Sequence, residues 1–442
     1  MERKRAIEAI KTAGIVGAGG GGFPTFIKMQ SQVETIICNG SECEPLLATD
    51  KAILYQNADR VIDGIKVAMK ATGAKEGIIA IKGHYQNVIK KVEAALAGIY
   101  DIHIHQLENY YPAGDEFLTV YDVTKKLIPE GGLPLDVGVV VCNALTLSQI
   151  SDAIAGKVVT NRVVTINGEI EKPQVLKAPI GASYRQLISA CGGTTIDNYT
   201  VLDGGPMMGS IVEDIDRGIA KTTSGILVLP NDHFVVNMKT KSITQMVKLS
   251  KAACCQCFRC TDLCPRNLLG HDIYPHRTMR TIDYNLADPT EHITSAFLCS
   301  QCGVCEMVAC DSMLLSPKKI YAEYRKTLVA QGVKSPHRKN NFSVRDAFED
   351  RKISIPTIMK KMGLAKYTLP ELVVKDFYSD RVSIPTNRHI GKPAKATVTI
   401  GDQVKIGDMI ALSADGGLGS VYHASIIGEI TDCDQSFIEI TA

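Results

Sequence analysis

The sequence predicts an α/β protein of several domains, opening on a domain with a parallel sheet and closing on a small β-domain. Three observations carry that expectation. From about residue 34 to 142, short β-rich runs (ETIICN, GIIAIK, DIHIHQ, VGVVVCN) alternate with helical patterns, the signature of parallel βαβ units. Beyond a stretch of glycine-broken strands come two clusters of closely spaced cysteines. The final stretch alternates in strand fashion around GDQVKIGD and GGLGS turns.

Each element follows from its residues. In the longest helical segment Ile53, Leu54, Val61, Ile62, Ile65, Ala68 and Met69 recur at spacings of three and four, one apolar stripe that packs on a sheet, and Gly73 ends it. Between 160 and 235 the runs NRVVTINGEI, VLDGGPMMGS and SGILVLP read as short strands, with one helical piece, SYRQLISACGG, between them. That pattern fits a small α+β domain. Residues 238 to 331 mix helical runs with the cysteines, 332 to 380 read as a linker rich in Lys, Arg and Pro, and 381 to 442 form the closing β-domain.

Length and charge narrow the function. The 442 residues are about three times the ~150-residue domain prior, so two to four domains are expected. Lys and Arg number 49 against 47 Asp and Glu, which leaves no basic field for nucleic acid. No run of eighteen apolar residues and no secretory leader pattern occurs, so the expected setting is cytoplasmic, without a transmembrane segment. Fourteen cysteines in such a chain point to metal or redox chemistry, since reducing cytosol does not sustain a disulfide framework.

The cysteines are spaced for iron–sulfur chemistry. Cys254, Cys257, Cys260 and Cys264, followed by Pro265, spell C-x2-C-x2-C-x3-C-P, the run with which bacterial ferredoxins hold a [4Fe–4S] cluster. A second set, Cys299, Cys302, Cys305 and Cys310, is spaced x2, x2, x4. In two-cluster ferredoxins the fourth cysteine of each run serves the other cluster. Carried over, one cluster takes Cys254, Cys257, Cys260 and Cys310, and the other takes Cys299, Cys302, Cys305 and Cys264. Zinc also binds paired CxxC units but has no use for a third cysteine two residues on. Cys255 is then left without a ligand role, packing as a weak S–H donor. Two adjacent clusters pass single electrons.

Polar loops mark a second site. GIVGAGGGGFPTFIKM places Gly17, Gly19, Gly20, Gly21 and Gly22 before Lys28, and glycines let backbone N–H groups approach a phosphate or a flat ring. No GK[ST] follows and no β-strand precedes, so it is neither a Walker loop nor a dinucleotide fingerprint. After ETIICN, the segment GSECEPLLATD brings Glu42, Glu44 and Asp50 to a strand's C-terminal end, where α/β ligands bind. The acids could equally sit at a helix N-terminus. YYPAGDE carries Gly114, Asp115 and Glu116, and VGVVVCN leads into Asn143.

Taken together, GAGGGGFPTFIK, NGSECEP, YPAGDE, CNALTL and GGPMMG, followed by two ferredoxin runs, resemble the flavin-dependent reductase family that includes the RnfC component of the Rnf complex and the NADH-oxidising subunit of respiratory complex I. The likeness is greatest to the cobalamin reductases of propanediol-utilising microcompartments, with CTDLCPRNLLGHDIYPH and the C-terminal place of the β-domain as specific points. It implies a Rossmann-like FMN and NADH domain over 1 to 155, a soluble-ligand-binding β-grasp domain over 156 to 237, a helical dicluster ferredoxin-like module over 238 to 331 and a C-terminal β barrel-sandwich. By resemblance Gly17, Gly19, Gly20, Gly22 and Lys28 line the flavin, and Asn39, Glu42, Glu44 and Asp50 contact flavin or ribityl. Gly114, Asp115 and Glu116 fall at the nicotinamide site, and Asn143 in a further flavin loop.

The resemblance also implies a reaction. NADH gives two electrons and each [4Fe–4S] cluster takes one, so FMN between them splits the pair. The favoured acceptor is a corrinoid, free or on a corrinoid-dependent enzyme, inside a bacterial microcompartment. Alternatives are a reductase or conduit of another microcompartment or Rnf-like pathway without a corrinoid, and a non-enzymatic module tethered to a shell protein. The barrel-sandwich offers no lysine at Tyr422, His423, Ala424 and Ser425, where carrier domains are modified, and so reads as a docking or structural module. His389 and His423 read as surface histidines, whereas His271 and His276 lie near the first cysteine run. Asp311, directly after Cys310, is expected to lower the potential of its cluster.

Overall fold

The structure, a computed structural model, describes residues 3–288, 290–413 and 418–442. Gly416 and Gly417 of the expected GGLGS turn lie outside the described residues. The first domain runs α1 (Arg3–Thr12), α2 (Thr25–Gln30), β1 (Thr35–Asn39), α3 (Thr49–Gln56), α4 (Ala58–Thr72), β2 (Glu76–Lys82), α5 (Gln86–Ala95), β3 (Ile102–Leu107), β4 (Tyr110–Tyr111), α6 (Glu116–Thr124), β5 (Val139–Asn143) and α7 (Ala144–Ile154).

Its sheet is parallel, in the order β3-β2-β1-β5. The chain steps outward from β1 to β3 and then returns to the far side of β1, so the topological switch lies between β1 and β5. In open α/β sheets ligands bind outside the C-terminal strand ends at such a switch. Here the two strands end in register, Asn39 opposite Asn143. The predicted apolar stripe is divided: Asn57 separates α3 from α4, and α4 alone presents Val61, Ile62, Ile65, Ala68 and Met69 to the core. Gly73 caps α4 in the left-handed conformation, φ 78°, as the sequence suggests. Helices α4 and α7 cross so closely that a Cβ on Gly64 would lie 1.9 Å from Leu147 O.

The second unit is a six-stranded sheet in the order β12-β7-β6-β10-β8-β9, with β6 (Asn161–Gly168), β7 (Gln174–Pro179), α8 (Tyr184–Ala190), β8 (Tyr199–Asp203), β9 (Ser210–Ile211), β10 (Gly225–Pro230) and, from much later in the chain, β12 (Val374–Asp376). Ser183 and Gln186 close a capping box at the start of α8, which packs Tyr184, Leu187 and Ile188 on the sheet. After α9 (Phe234–Thr240) come the helices of the cysteine module: α10 (Ile243–Ala253), α11 (Arg259–Asp262), α12 (Pro265–Leu268), α13 (Pro275–Asp283), α14 (Glu291–Thr294) and α15 (Pro317–Ala330).

The stretch read as a linker, 332 to 380, differs from that expectation. It carries β11 (Ile353–Ser354), α16 (Ile355–Lys361) and β12 (Val374–Asp376). β11 pairs with β4, and β12 pairs with β7 as an extra strand of the second sheet. Burial of Ile358, Met362 and Leu364 against Leu227, Met207 and Val304 holds it down. The C-terminal domain faces a sheet β13-β19-β18-β15 with a sheet β14-β16-β17, built from β13 (Arg381–Pro385), β14 (Ala394–Ala396), β15 (Gln403–Val404), β16 (Met409–Ser413), β17 (Tyr422–His423), β18 (Gly428–Cys433) and β19 (Phe437–Thr441). Alternating inward residues such as Val382, Ile384, Ile430, Ile438 and Ile440 fill the space between them.

His389 and His423 are corrected: both are buried. The His389 ring bonds Tyr422 Oη at 2.8 Å and Lys392 O at 3.0 Å, so it is a satisfied core histidine. Tyr422, the position a carrier domain would expose, is itself buried.

Candidate flavin and iron–sulfur sites

The polar loops expected around a ligand meet at the switch point. The glycine loop is a hairpin closed by the Val16–Pro24 bridge and by Gly17 N donating to Phe23 O at 2.9 Å. Its tip, Gly19 to Gly21, is exposed, and a Cβ on Gly20 would meet nothing within 4 Å. At Gly19 a Cβ would sit 3.0 Å from Asn143 Nδ2, so the loop lies directly on the β5 end. Asn143 caps α7 by accepting from Leu145 N and donates to Asp50 Oδ2 at 2.7 Å. Asn39 donates to Gly114 O at 2.8 Å, and Lys28 reaches Glu116 Oε1 at 3.0 Å and Val141 O at 2.9 Å. Burial alone would lower the Lys28 pKa, but the Glu116 carboxylate overrides it and holds the ammonium above its usual range.

Charge is concentrated underneath. Glu42 Oε2 accepts from Lys51 N at 3.1 Å, and burial with the Glu42 charge pushes Asp50 up to about 8, against the bond from Asn143. Sequence reasoning missed Lys51, Lys82, Ser41 and Arg162. Lys82 ends β2, is wholly buried and is held down to about 8 by burial; neither its Nζ nor Ser41 Oγ has a partner among the described residues. Arg162 crosses from β6 to Ala18 O at 2.8 Å, leaving Nη1 unpartnered. The available signal was positional: Lys82 closes GIIAIK, a strand whose C-terminal end faces the switch. These orphaned donors, with glycines that leave a flat space open, fit an anionic planar group such as FMN.

Glu44 is placed elsewhere. Its carboxylate accepts from Met207 N at 3.0 Å and Met208 N at 2.7 Å, binding the GGPMMG turn of the second domain, and it is not brought to the glycine loop. Asp115 caps α6 through Phe117 N and Leu118 N and pairs with Arg266 Nη2 at 3.1 Å, both side chains 10% exposed. Arg266 stacks on the Phe117 ring, 3.3 Å from its centroid. Tyr111 Oη donates to Cys302 O at 2.6 Å. The YYPAGDE loop therefore joins the polar face of the first domain directly to the cysteines.

Seven of the eight cysteines gather in two places. Cys264, Cys299, Cys302 and Cys305 line one cavity walled by Ile273, Pro275, Arg266, Lys318 and Tyr321. The Cys260 thiol lies against that of Cys310 with Cys254 beside it, while Cys257 is at the surface next to exposed Cys255. Among the described residues no three Cys, His, Asp or Glu side chains converge as a single-ion site requires. Soft thiolates spread around an apolar cavity are the donor set of an iron–sulfur cluster. Both runs share a backbone device: Gln256 and Phe258 in the first, Gln301 and Gly303 in the second, are left-handed, at φ 55°, 64°, 60° and 83°. Alternating left-handed residues turn each short loop around a centre.

Other expectations are modified. Asp311 pairs with Lys361 at 2.6 Å, which offsets the charge expected beside Cys310. His276 bonds Thr261 Oγ1 at 2.7 Å, and His271 bonds Ile128 O at 3.0 Å, within the first domain. A cleft of about 680 Å³ lies between the second domain and the C-terminal sheets around Asp203, Arg217 and Arg388, and none of the expected site residues lines it.

Comparison with known proteins decides the family. Residues 10–152 match the profile of the Nuo51 FMN-binding domain, 163–210 the SLBB domain, 253–315 a 4Fe-4S dicluster domain and 365–441 the RnfC barrel sandwich hybrid domain. Cobalamin reductase PduS of Salmonella typhimurium is 36% identical over 435 residues, covering 98% of this chain and 95% of that protein. The protein of that name from Citrobacter freundii is 37% identical over 440 residues, covering 98% and 95%. The chain belongs to the PduS cobalamin reductase family. A component of the Na(+)-translocating ferredoxin:NAD(+) oxidoreductase complex of Acetobacterium woodii is 33% identical over 63% of this chain and 62% of that component. An NAD+-reducing [NiFe]-hydrogenase in its H2-reduced state superposes with TM-score 0.52 at 19% identity, over 76% of this chain and 64% of that one, a likeness of fold. The chain is thus an oxidoreductase with an FMN-binding domain and a 4Fe–4S dicluster domain. No described helix is long and apolar enough to cross a membrane.

Proposed function

We propose that the protein takes electrons from NADH at FMN, passes them through two [4Fe–4S] clusters and delivers them to a corrinoid acceptor within a microcompartment. Bound FMN and the clusters supply the conversion of a two-electron donor into one-electron steps. The chain's own residues do the positioning. Gly17, Gly19, Gly20 and Gly22 form a loop whose free tip admits a flat ring, above Asn39 and Asn143. Lys82 and Lys51, buried beside Glu42, supply positive charge for a phosphate, and Asp50 can hold a proton near neutral pH. Gly114 and Glu116, fixed by Asn39 and Lys28, border the space left for nicotinamide, and Glu44 acts as a tie between domains. Cys254, Cys257, Cys260 and Cys310 would hold one cluster, and Cys264, Cys299, Cys302 and Cys305 the other.

One observation carries the route: Tyr111 and Asp115, on the loop that borders the flavin face, bond to Cys302 and to Arg266, two residues after Cys264. The group of cysteines that lines the cavity is therefore the one adjoining the first domain. The corrinoid acceptor rests on the relatives' name. Anaerobic protein reconstituted with iron, sulfide and FMN should oxidise NADH with an artificial acceptor and reduce cob(III)alamin. Failure with every artificial acceptor would overturn the enzyme reading, and failure with cob(III)alamin alone would overturn the acceptor.

A further inference from the structure

The glycine loop is held at both ends by residues from outside the first domain. At its start Gly14 has φ 70° and is buried, and its carbonyl accepts from Lys221 Nζ at 2.6 Å and Ser420 Oγ at 3.2 Å. The same ammonium donates to Val421 O at 2.5 Å and Ser420 Oγ at 3.2 Å, and lies 4.1 Å from the centroid of the Tyr422 ring. At its other end Gly22 O accepts from Ile390 N at 3.1 Å. A Cβ on Gly22 would lie 2.8 Å from Thr222 Cγ2 and 3.0 Å from His389 Cα, so the chains are in close approach. Between these fastenings Gly19, Gly20 and Gly21 are exposed.

Lys221 is an expensive way to join surfaces. A buried ammonium without a carboxylate partner costs stability, and burial holds its pKa down to about 7. A methionine would fill much of the same space without that penalty. What the ammonium adds is three directed donors, matched here by two carbonyls and a hydroxyl, one of them at the root of the glycine loop and two on the C-terminal domain.

We propose that the barrel-sandwich domain is the brace of the flavin loop, with Lys221 as a positioning residue that couples Gly14 to Ser420 and Val421. Binding FMN then requires less ordering of the loop, because its two ends are already fixed. This assigns the C-terminal domain a role at the flavin site that needs neither an attachment lysine nor a partner. It rests on the FMN reading of the first domain.

The test is titration of flavin-free, cluster-loaded protein with FMN, followed by flavin fluorescence, with iron content and thermal midpoint measured alongside. Lys221→Met should bind FMN about tenfold more weakly with iron content unchanged. Ser420→Ala, in the C-terminal domain, should weaken it about threefold, and the double variant should be no worse than Lys221→Met because the two share one contact. Ile440→Val, in the core of the same domain, should lower the midpoint and leave FMN affinity alone. Affinity within about twofold of wild type for Ser420→Ala and any folded Lys221→Met, or equal weakening by Ile440→Val, would overturn the brace. A wild-type protein that takes up no FMN would instead overturn the flavin reading beneath it, and would do so before any variant is made.

Discussion

The side-chain amide of Gln256 donates to Cys254 Sγ across 3.2 Å. Gln301 stands in the same relation to Cys299, also at 3.2 Å, two residues beyond the first cysteine of its run. The chain thus repeats Cys-x-Gln-Cys, with one amide per run aimed at a sulfur. Donors to cluster sulfurs stabilise the reduced, more negative state. Replacing Gln256 or Gln301 by Leu should lower the potential of its own cluster by roughly 40 mV, the equivalent of one hydrogen bond of about 1 kcal/mol. Redox titration followed by electron paramagnetic resonance reads each shift separately, and no shift in either variant would show that the amides are only packing.

Crossed ligation makes Cys264 the telling cysteine. Cys264→Ser should damage the cluster of the cavity-lining group, with Cys299, Cys302 and Cys305, although Cys264 sits in the sequence of the other run. Cys255→Ser should leave iron content unchanged. Loss of the cluster held by Cys254, Cys257 and Cys260 in the Cys264 variant would refute the crossing.

The Asp115–Arg266 pair is nearly buried, so removing one partner should cost about 3 kcal/mol by leaving the other uncompensated. Arg266→Met should therefore lower urea-unfolding stability and slow reduction of the clusters by NADH. Asp115→Asn together with Arg266→Met should recover part of the stability, and a double-mutant cycle with no coupling would refute the pair's role.

Asp50 gives a pH dependence with a definite sign. Its folded pKa of about 8 lies above the ordinary 3.8, so between those values the folded state binds more proton than the unfolded one. The stability that protonation contributes is fully present below about pH 4 and is lost as pH rises towards 8. Asp50→Asn should flatten that part of the profile, measured by urea unfolding of flavin-free protein at pH 5 and pH 8. An unchanged slope would mean Asp50 is ionised throughout.

How much of this was legible follows from distance along the chain. The cysteine runs and the stop at Gly73 are written within a few residues, and spacing reveals them. The parallel sheet is legible for the same reason, since each strand declares itself locally. By contrast, Arg266 meets Asp115 from 151 positions away and Lys221 meets Gly14 from 207, and no local pattern encodes either. The bonds from Glu44 to Met207 N and Met208 N were not legible, because an acid at a strand end looks alike whether it faces a ligand or a neighbouring turn. His389 and His423 were misplaced because a lone histidine carries no periodicity that distinguishes surface from core. The segment 332 to 380 hid short strands among Lys, Arg and Pro, whose pairing partners lie in other domains.

The exposure of Cys257, against four half-buried cysteines in the other group, sets an order of decay. Cys255, Cys257 and Phe258 are exposed, Phe258 by 51%, whereas the other group is walled by Ile273, Pro275 and Tyr321. Oxygen or a chelator meets the outer centre first, so iron release should be biphasic, with the spectrum of the cluster held by Cys254, Cys257, Cys260 and Cys310 fading before the other. A single phase would show that both are equally reachable. Ageing protein would then pass through a half-loaded stage that still draws electrons from the flavin yet has lost its outlet.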